Sequence, residues 1–466
     1  MRQYHIEEFG GCGDGLFDNS EAFSLAFRTI CTGGTLIISG GTFRTGPLHL
    51  SGVGCTIRFE EGACLSFIAE AERYRPVFTR WEGVDCWAMH PLFLITDSQD
   101  ITLEGPGLLD GNGQWWWQQL RQRRAVQSGP ESDIERELAA LNPDYRRQSG
   151  GGGGRQTQFL RPPLLQIYKS SNIVIDGLKL ANSPFWTIHP LYSRHLLIKD
   201  VTIENPSDAP NTDGIDIESC ANVVVCGCTV SVGDDGIAIK SGSGKDGIIN
   251  GVPTVDVLIE HCTVKRAHGG AVIGSETAAG ISNITVRHCL FDGTDRGIRI
   301  KTRRGRGGKI RDLTFTDLRM HNNACALAIN MYYRCGSVDE TEFLLESQPL
   351  TDTTPSIAKI CIARCRATGS RASAAFIVGL PEAPITDLLI KDCHFGLADE
   401  GLVDTGDSEM YDGLPSVEGR GIRIRNAHLT LEGVTVEGVA EALVLEEGAL
   451  LGSQETVDQG AALSKV

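Results

Sequence analysis

Ile173-Val-Ile-Asp-Gly-Leu-Lys-Leu180 decides how this chain is read. A short aliphatic run is followed by two polar or small residues and then a second short run. The pattern returns as Leu196-Leu-Ile-Lys-Asp-Val-Thr-Ile203, Val223-Val-Val-Cys-Gly-Cys-Thr-Val230 and Val257-Leu-Ile-Glu-His-Cys-Thr-Val264. It starts again at Ile284, Leu313, Leu388 and Leu429. The starts at 173, 196, 223, 257, 284 and 313 differ by 23, 27, 34, 27 and 29 residues. A period of roughly 20 to 50 residues with no helical periodicity inside it marks a solenoid. Alternating strands closed by turns predict an all-β fold, a right-handed parallel β-helix whose coils rise about 4.8 Å each. The expectation is one domain over 1–450, of roughly ten coils, and a polar tail over 451–466.

Composition agrees. Glycine makes up 55 of 466 residues and aromatics only 6%, so the core must be aliphatic and the turns many. Apolar residues at 41% and charged residues at 22% exclude a disordered chain. The net charge of −16 disfavours nucleic acid and anionic membranes as partners. No apolar run reaches membrane-spanning length, and no stretch near Met1 has the length of a signal peptide. The fifteen cysteines are scattered, and Cys220, Cys226, Cys228, Cys262 and Cys289 fall where buried aliphatics would serve. Buried thiols in a reducing, cytoplasmic compartment are expected.

Asn19 or Ser20 is placed to N-cap an amphipathic helix with Ala22, Phe23, Leu25, Ala26, Phe27 and Ile30 inward, a candidate cap on the first coil. An insertion at about 113–160 interrupts the repeats. It holds Trp115-Trp116-Trp117, a charged segment and five glycines at 150–154. It is expected to be partly helical and partly flexible, and to offer tryptophan faces to sugar rings.

The densest acidic motifs are Asn211-Thr-Asp213-Gly-Ile-Asp216-Ile-Glu218 and Gly233-Asp-Asp-Gly-Ile-Ala-Ile-Lys240. Asp213 and Asp235 are 22 residues apart, about one coil. That register stacks Asp213 over Asp235 with Asp234 beside them, and sends Asp216, Glu218 and Lys240 to a solvent face. Crowded carboxylates raise at least one pKa, which sets a proton donor beside a proton acceptor. Glycoside hydrolysis needs that division of labour. Later coils add His268 in a Gly-rich turn, and Arg299 and Lys301 outward on one strand, suited to a sugar carboxylate. Each motif alone also reads as an ordinary turn or a solvated charged face.

Asn-Thr-Asp213-Gly, Gly-Asp234-Asp235-Gly, His268-Gly-Gly and Arg299-Ile-Lys301, in this order, resemble glycoside hydrolase family 28, the polygalacturonases. Phe9-Gly-Gly-Cys-Gly-Asp14-Gly-Leu-Phe-Asp18 resembles the opening of pectin-lyase-like β-helices. Arg161-Pro-Pro and Asn182-Ser-Pro-Phe-Trp186-Thr-Ile-His189-Pro are also similar to the family, over about residues 7–340. The resemblance implies Asp234 as general acid, Asp213 and Asp235 as the pair activating water with inversion, and His268 in support. It implies substrate binding by Arg299, Lys301 and Tyr333, with Lys240, His189 and Glu276 as further candidates. Ala267 stands where many endo-acting members have Gly, and the longer form ending at Glu276 is similar to exo-type bacterial and plant members.

The expected function is hydrolysis of α-1,4-galacturonosidic bonds in a pectic oligosaccharide, exo-acting, with galacturonic acid released. Rhamnogalacturonan or xylogalacturonan hydrolysis is the alternative, and a non-catalytic carbohydrate-binding β-helix a remote one. No cofactor and no metal is expected. The sequence leaves the oligomeric state open.

Overall fold

A computed structural model describes residues 2–126, 129–147, 158–337, 339–452 and 457–459. It divides into two compact units, Met1–Asp234 and Asp235–Val466. Each unit is a parallel β-helix of three parallel sheets.

In the first unit, one sheet runs through Ser171–Asp176, Arg194–Lys199 and Ala221–Cys226 in register. Ile173 pairs with Leu196 and Leu196 with Val223, while Ile175, Ile198 and Val225 form the next ladder. All six are buried, and Val174, Leu197 and Val224 between them face outward and are half-buried. Period-2 alternation thus places the aliphatic ladders inside. A second sheet carries Leu165–Tyr168, Ile188–Leu191 and Ile215–Glu218.

The helix Ser20–Ile30 buries Ala22, Phe23, Ala26, Phe27 and Ile30. Leu25, expected inward, is 39% exposed. Asn19 holds the N-cap position, but its side chain makes no capping bond. Its amide is spent elsewhere, accepting from the Cys12 amide at 2.7 Å and donating to the Phe17 and Arg44 carbonyls.

The insertion forms helices Gln114–Val126 and Asp133–Leu141; the five glycines lie outside the described residues. Trp116 is fully buried edge-on against Tyr74, and the Trp117 indole donates to the Ser183 carbonyl at 2.9 Å. Only Trp115 is exposed, at 38%, so two of the three expected sugar platforms are packing residues. A hairpin, Pro76–Trp81 with Val84–Met89, is the one antiparallel sheet of the described residues.

In the second unit the sheet that begins with Asp235–Lys240 continues through Gly269–Gly274, Arg296–Lys301, Cys325–Asn330 and Ser373–Val378. Every residue of these five strands is buried. This overturns the expected solvent face: Lys240 is buried here, and so are Asp216 and Glu218 in the first unit. Distant segments reach this buried layer. Arg80 of the hairpin reaches Glu218 at 3.2 Å, and Asn330 donates to the Glu409 carbonyl of a helix at Thr405–Glu409. Of the five named cysteines, four are buried and Cys226 is half-buried. Part of the expected tail is structured, since Val457–Gln459 pairs with Val434–Val436.

Candidate active site

In the first unit, Asp213 sits on the loop that enters Ile215–Glu218. The Asp213 carbonyl accepts from Thr187 at 2.9 Å, which fixes the loop to the neighbouring coil. Thr212 ties this loop to the next turn, donating to the Ala209 carbonyl at 2.9 Å and accepting from the Gly233 amide at 3.2 Å. A Cβ on Gly233 would stand 2.3 Å from the Ala209 oxygen, so only glycine permits this approach. Asp234 is thereby held at the loop of Asp213, with carboxylate oxygens of the two within 4.8 Å. Asp213 is buried and Asp234 half-buried.

Arg161, at the end of the insertion, is a buried brace for this loop. Its guanidinium donates to the Pro210 carbonyl at 2.6 Å, the Pro184 carbonyl at 3.1 Å and Asn211 Oδ1 at 2.8 Å. Asn211 Nδ2 in turn approaches Asp234 Oδ2 at 3.5 Å. Burial, with Arg124 nearby, lowers the Arg161 pKa to about 9 against the pull of Asp234 and Asp213; it stays charged at neutral pH. The sequence reading gave Arg161 no role. Its signal was there, an arginine in a motif shared with the resemblance.

His189 is buried in a polar chain of the same unit. Its ring meets Gln166 Nε2 at 3.0 Å and Glu218 Oε2 at 3.1 Å, with Trp186 edge-on. Arg80 pairs with Glu218 and with Asp85 at 2.6 Å. This network locks the hairpin onto the second sheet.

In the second unit, Asp235 opens its strand. Its rung neighbour is Gly269, so His268 stands one residue before that rung, half-buried in its turn. Arg299 Nη1 donates to Asp235 Oδ1 at 2.9 Å and Lys301 Nζ to Oδ2 at 2.5 Å. Burial works to raise the Asp235 pKa, but Lys301, Arg299 and Lys240 outweigh it and hold the carboxyl well below the usual carboxylate range. The expected like-charge rise therefore does not fall on Asp235. The Tyr333 ring lies 5.4 Å from the Arg299 guanidinium carbon and 5.2 Å from Lys301 Nζ, whereas Tyr332 lies over Arg304.

Glu276 accepts from Lys240 Nζ at 3.1 Å and from Arg306 Nη1 at 3.4 Å. Burial would raise its pKa, yet Lys240, Arg306 and Lys301 bring it down to about 2. Fully buried Arg306, which also donates to Ser243 at 2.7 Å, was not foreseen from the sequence. Both Asp235 oxygens are thus bonded to cations.

A profile of Glycosyl hydrolases family 28 matches residues 147–347. Over these residues the chain matches glycoside hydrolase family 28. It is 28% identical over 404 residues to a probable polygalacturonase of Vitis vinifera, an alignment covering 84% of this chain and 74% of that one. An exopolygalacturonase from Thermotoga maritima superposes with a TM-score of 0.73 at 28% identity, over 98% of this chain and 91% of that one. A family 28 exopolygalacturonase from Yersinia enterocolitica gives 0.77 at 17% identity, over 98% and 79%, a likeness of fold. The described strands thus follow a right-handed parallel β-helix, as the repeat implied.

Proposed function

We propose that this enzyme hydrolyses α-1,4-galacturonosidic bonds from the end of pectic chains, releasing galacturonic acid with inversion. The carrying observation is the clamp of Arg299 and Lys301 on Asp235. A carboxylate so held stays ionised and cannot donate a proton, so Asp235 serves as a base with Asp213. Half-exposed Asp234 is left to protonate the glycosidic oxygen, with His268 in support. The Arg299 and Lys301 cations, walled by Tyr333, suit a uronate carboxylate. Lys240 and Glu276 act behind it, as a second buried pair.

Two observations support end-on attack. The 28% identical exopolygalacturonase aligns over nearly all of both chains. In the first unit the insertion helix reaches the segment before Asp213, Arg121 donating to Asp208 Oδ2 at 2.8 Å, and we read the insertion as a wall on that side. A cytoplasmic setting belongs to the same reading, supported by buried thiols such as Cys220, Cys228 and Cys289.

The oxygens of Asp213 and Asp234 approach within 4.8 Å, nearer than the roughly 6.5–9.5 Å of most inverting pairs and close to the roughly 5–5.5 Å of retaining ones. Inversion therefore rests on the family and not on this spacing. The mode of attack is tested on polygalacturonate. Monogalacturonate from the first time points, with little loss of viscosity, is expected. Fast viscosity loss with a ladder of oligomers would refute end-on cleavage.

A further inference from the structure

The proposed chemistry leaves one groove of the second unit unused, a cavity of about 630 Å³ along the turn that joins strands Thr254–Glu260 and Thr263–Lys265 and the turns stacked on it. His261, His288, Asp317 and Arg364 take this corner on successive rungs, with φ of +54°, +54°, +56° and +52°. Left-handed backbone is most readily adopted by Gly or Asn; here it carries long polar side chains. The two imidazoles stack at 5.2 Å between centroids. On the adjoining strands Arg319 pairs in register with Arg366, and Arg366 with His394.

Neighbouring strands lie about 4.8 Å apart, and like charges directly opposite destabilise a sheet. Arg364 is matched, forming two 2.8 Å bonds to Asp317. Arg319 and Arg366 are exposed and, among the described residues, make no ion pair. The pKa of His394 is lowered by burial and then by Arg366, against the pull of Glu437. Stacked like charges of this kind are relieved by an anion, and the surrounding protein, at −16 overall, does not supply it here.

We propose that this groove is a second, non-catalytic binding site for an acidic saccharide chain, whose carboxylates bridge Arg319 and Arg366. Guanidinium groups on adjacent rungs present forked donors at a regular spacing, which a uronan with a carboxylate on every residue can meet with paired hydrogen bonds. The ligand class rests on the galacturonan reading; the site itself does not.

The test is calorimetric titration of full-length Asp234→Asn protein with trigalacturonate, inorganic phosphate and a neutral trisaccharide. Two trigalacturonate binding events are expected, one of them salt-sensitive and absent from a protein that also carries Arg319→Ala and Arg366→Ala. In the otherwise unchanged enzyme, the same two substitutions should leave turnover of digalacturonate within about 2-fold and raise KM for polygalacturonate by about 3-fold or more. Their thermal midpoint should hold or rise, since repulsion is removed; Arg366→Gln alone serves if the pair misfolds. A single binding event untouched by these substitutions would overturn the site, and phosphate or the neutral sugar binding there as well as trigalacturonate would overturn the uronate assignment. Loss of galacturonan hydrolysis with the second event intact would instead count against the proposed activity.

Discussion

Lys301 Nζ lies 2.5 Å from Asp235 Oδ2, and Arg299 holds the other oxygen of the same carboxylate at 2.9 Å. The clamp holds Asp235 as an anion at neutral pH. Because its folded pKa lies below the ordinary carboxylate value, its ion pairs stabilise the fold above about pH 4 and are lost as pH falls further. Lys301→Met removes the strongest cationic partner and lets the Asp235 pKa rise. The acid limb of the kcat/KM profile and the acid-unfolding midpoint should both move to higher pH. A Lys301→Met enzyme with an unshifted acid limb would show that Asp235 does not act as the base.

Glu276 gives a second pH signature. Its pKa is held near 2 by Lys240, Arg306 and Lys301 against burial, so its contribution is complete above about pH 4.5 and disappears as pH falls through about 2. Glu276→Gln leaves Lys240 and Arg306 buried with less countercharge, at a cost of about 3–5 kcal/mol. Urea unfolding at neutral pH should show that loss, and the variant should lose less stability than wild type between pH 4.5 and pH 2. An unchanged unfolding midpoint would refute the buried pair.

The tryptophans separate packing from sugar contact. Trp116 is fully buried on Tyr74, so Trp116→Ala should cost about 3–5 kcal/mol. Trp115, 38% exposed, should cost under about 1 kcal/mol when changed to Ala. Thermal unfolding of the two variants checks the order.

What the sequence made legible is what depends on near neighbours. Ile173, Leu196 and Val223 must face inward in any coil of this period, and the Asp213 and Asp234 motifs carry their own turns. The burial of the outward face was not legible, because its cover comes from afar. Arg80 reaches Glu218 across 138 residues, and Met410 reaches Arg299 across 111. Period-2 reasoning assigns an outward residue to solvent unless such a partner is known. Arg161 escaped for the same reason, since its partner Asn211 lies 50 residues on. The tryptophans were misread because exposure, not residue type, decides whether an indole meets a sugar.

Asp234 is the group on which the proposed chemistry turns, and the direct measurement is a proton NMR time course on trigalacturonate. Wild-type enzyme should release galacturonic acid whose first-formed anomer is β, the inverted product of an α-linkage. Folded Asp234→Asn protein should be slower by at least about 10²-fold. Retention in the first product, or wild-type turnover by Asp234→Asn, would contradict the assignment of Asp234 as the proton donor of an inverting hydrolase.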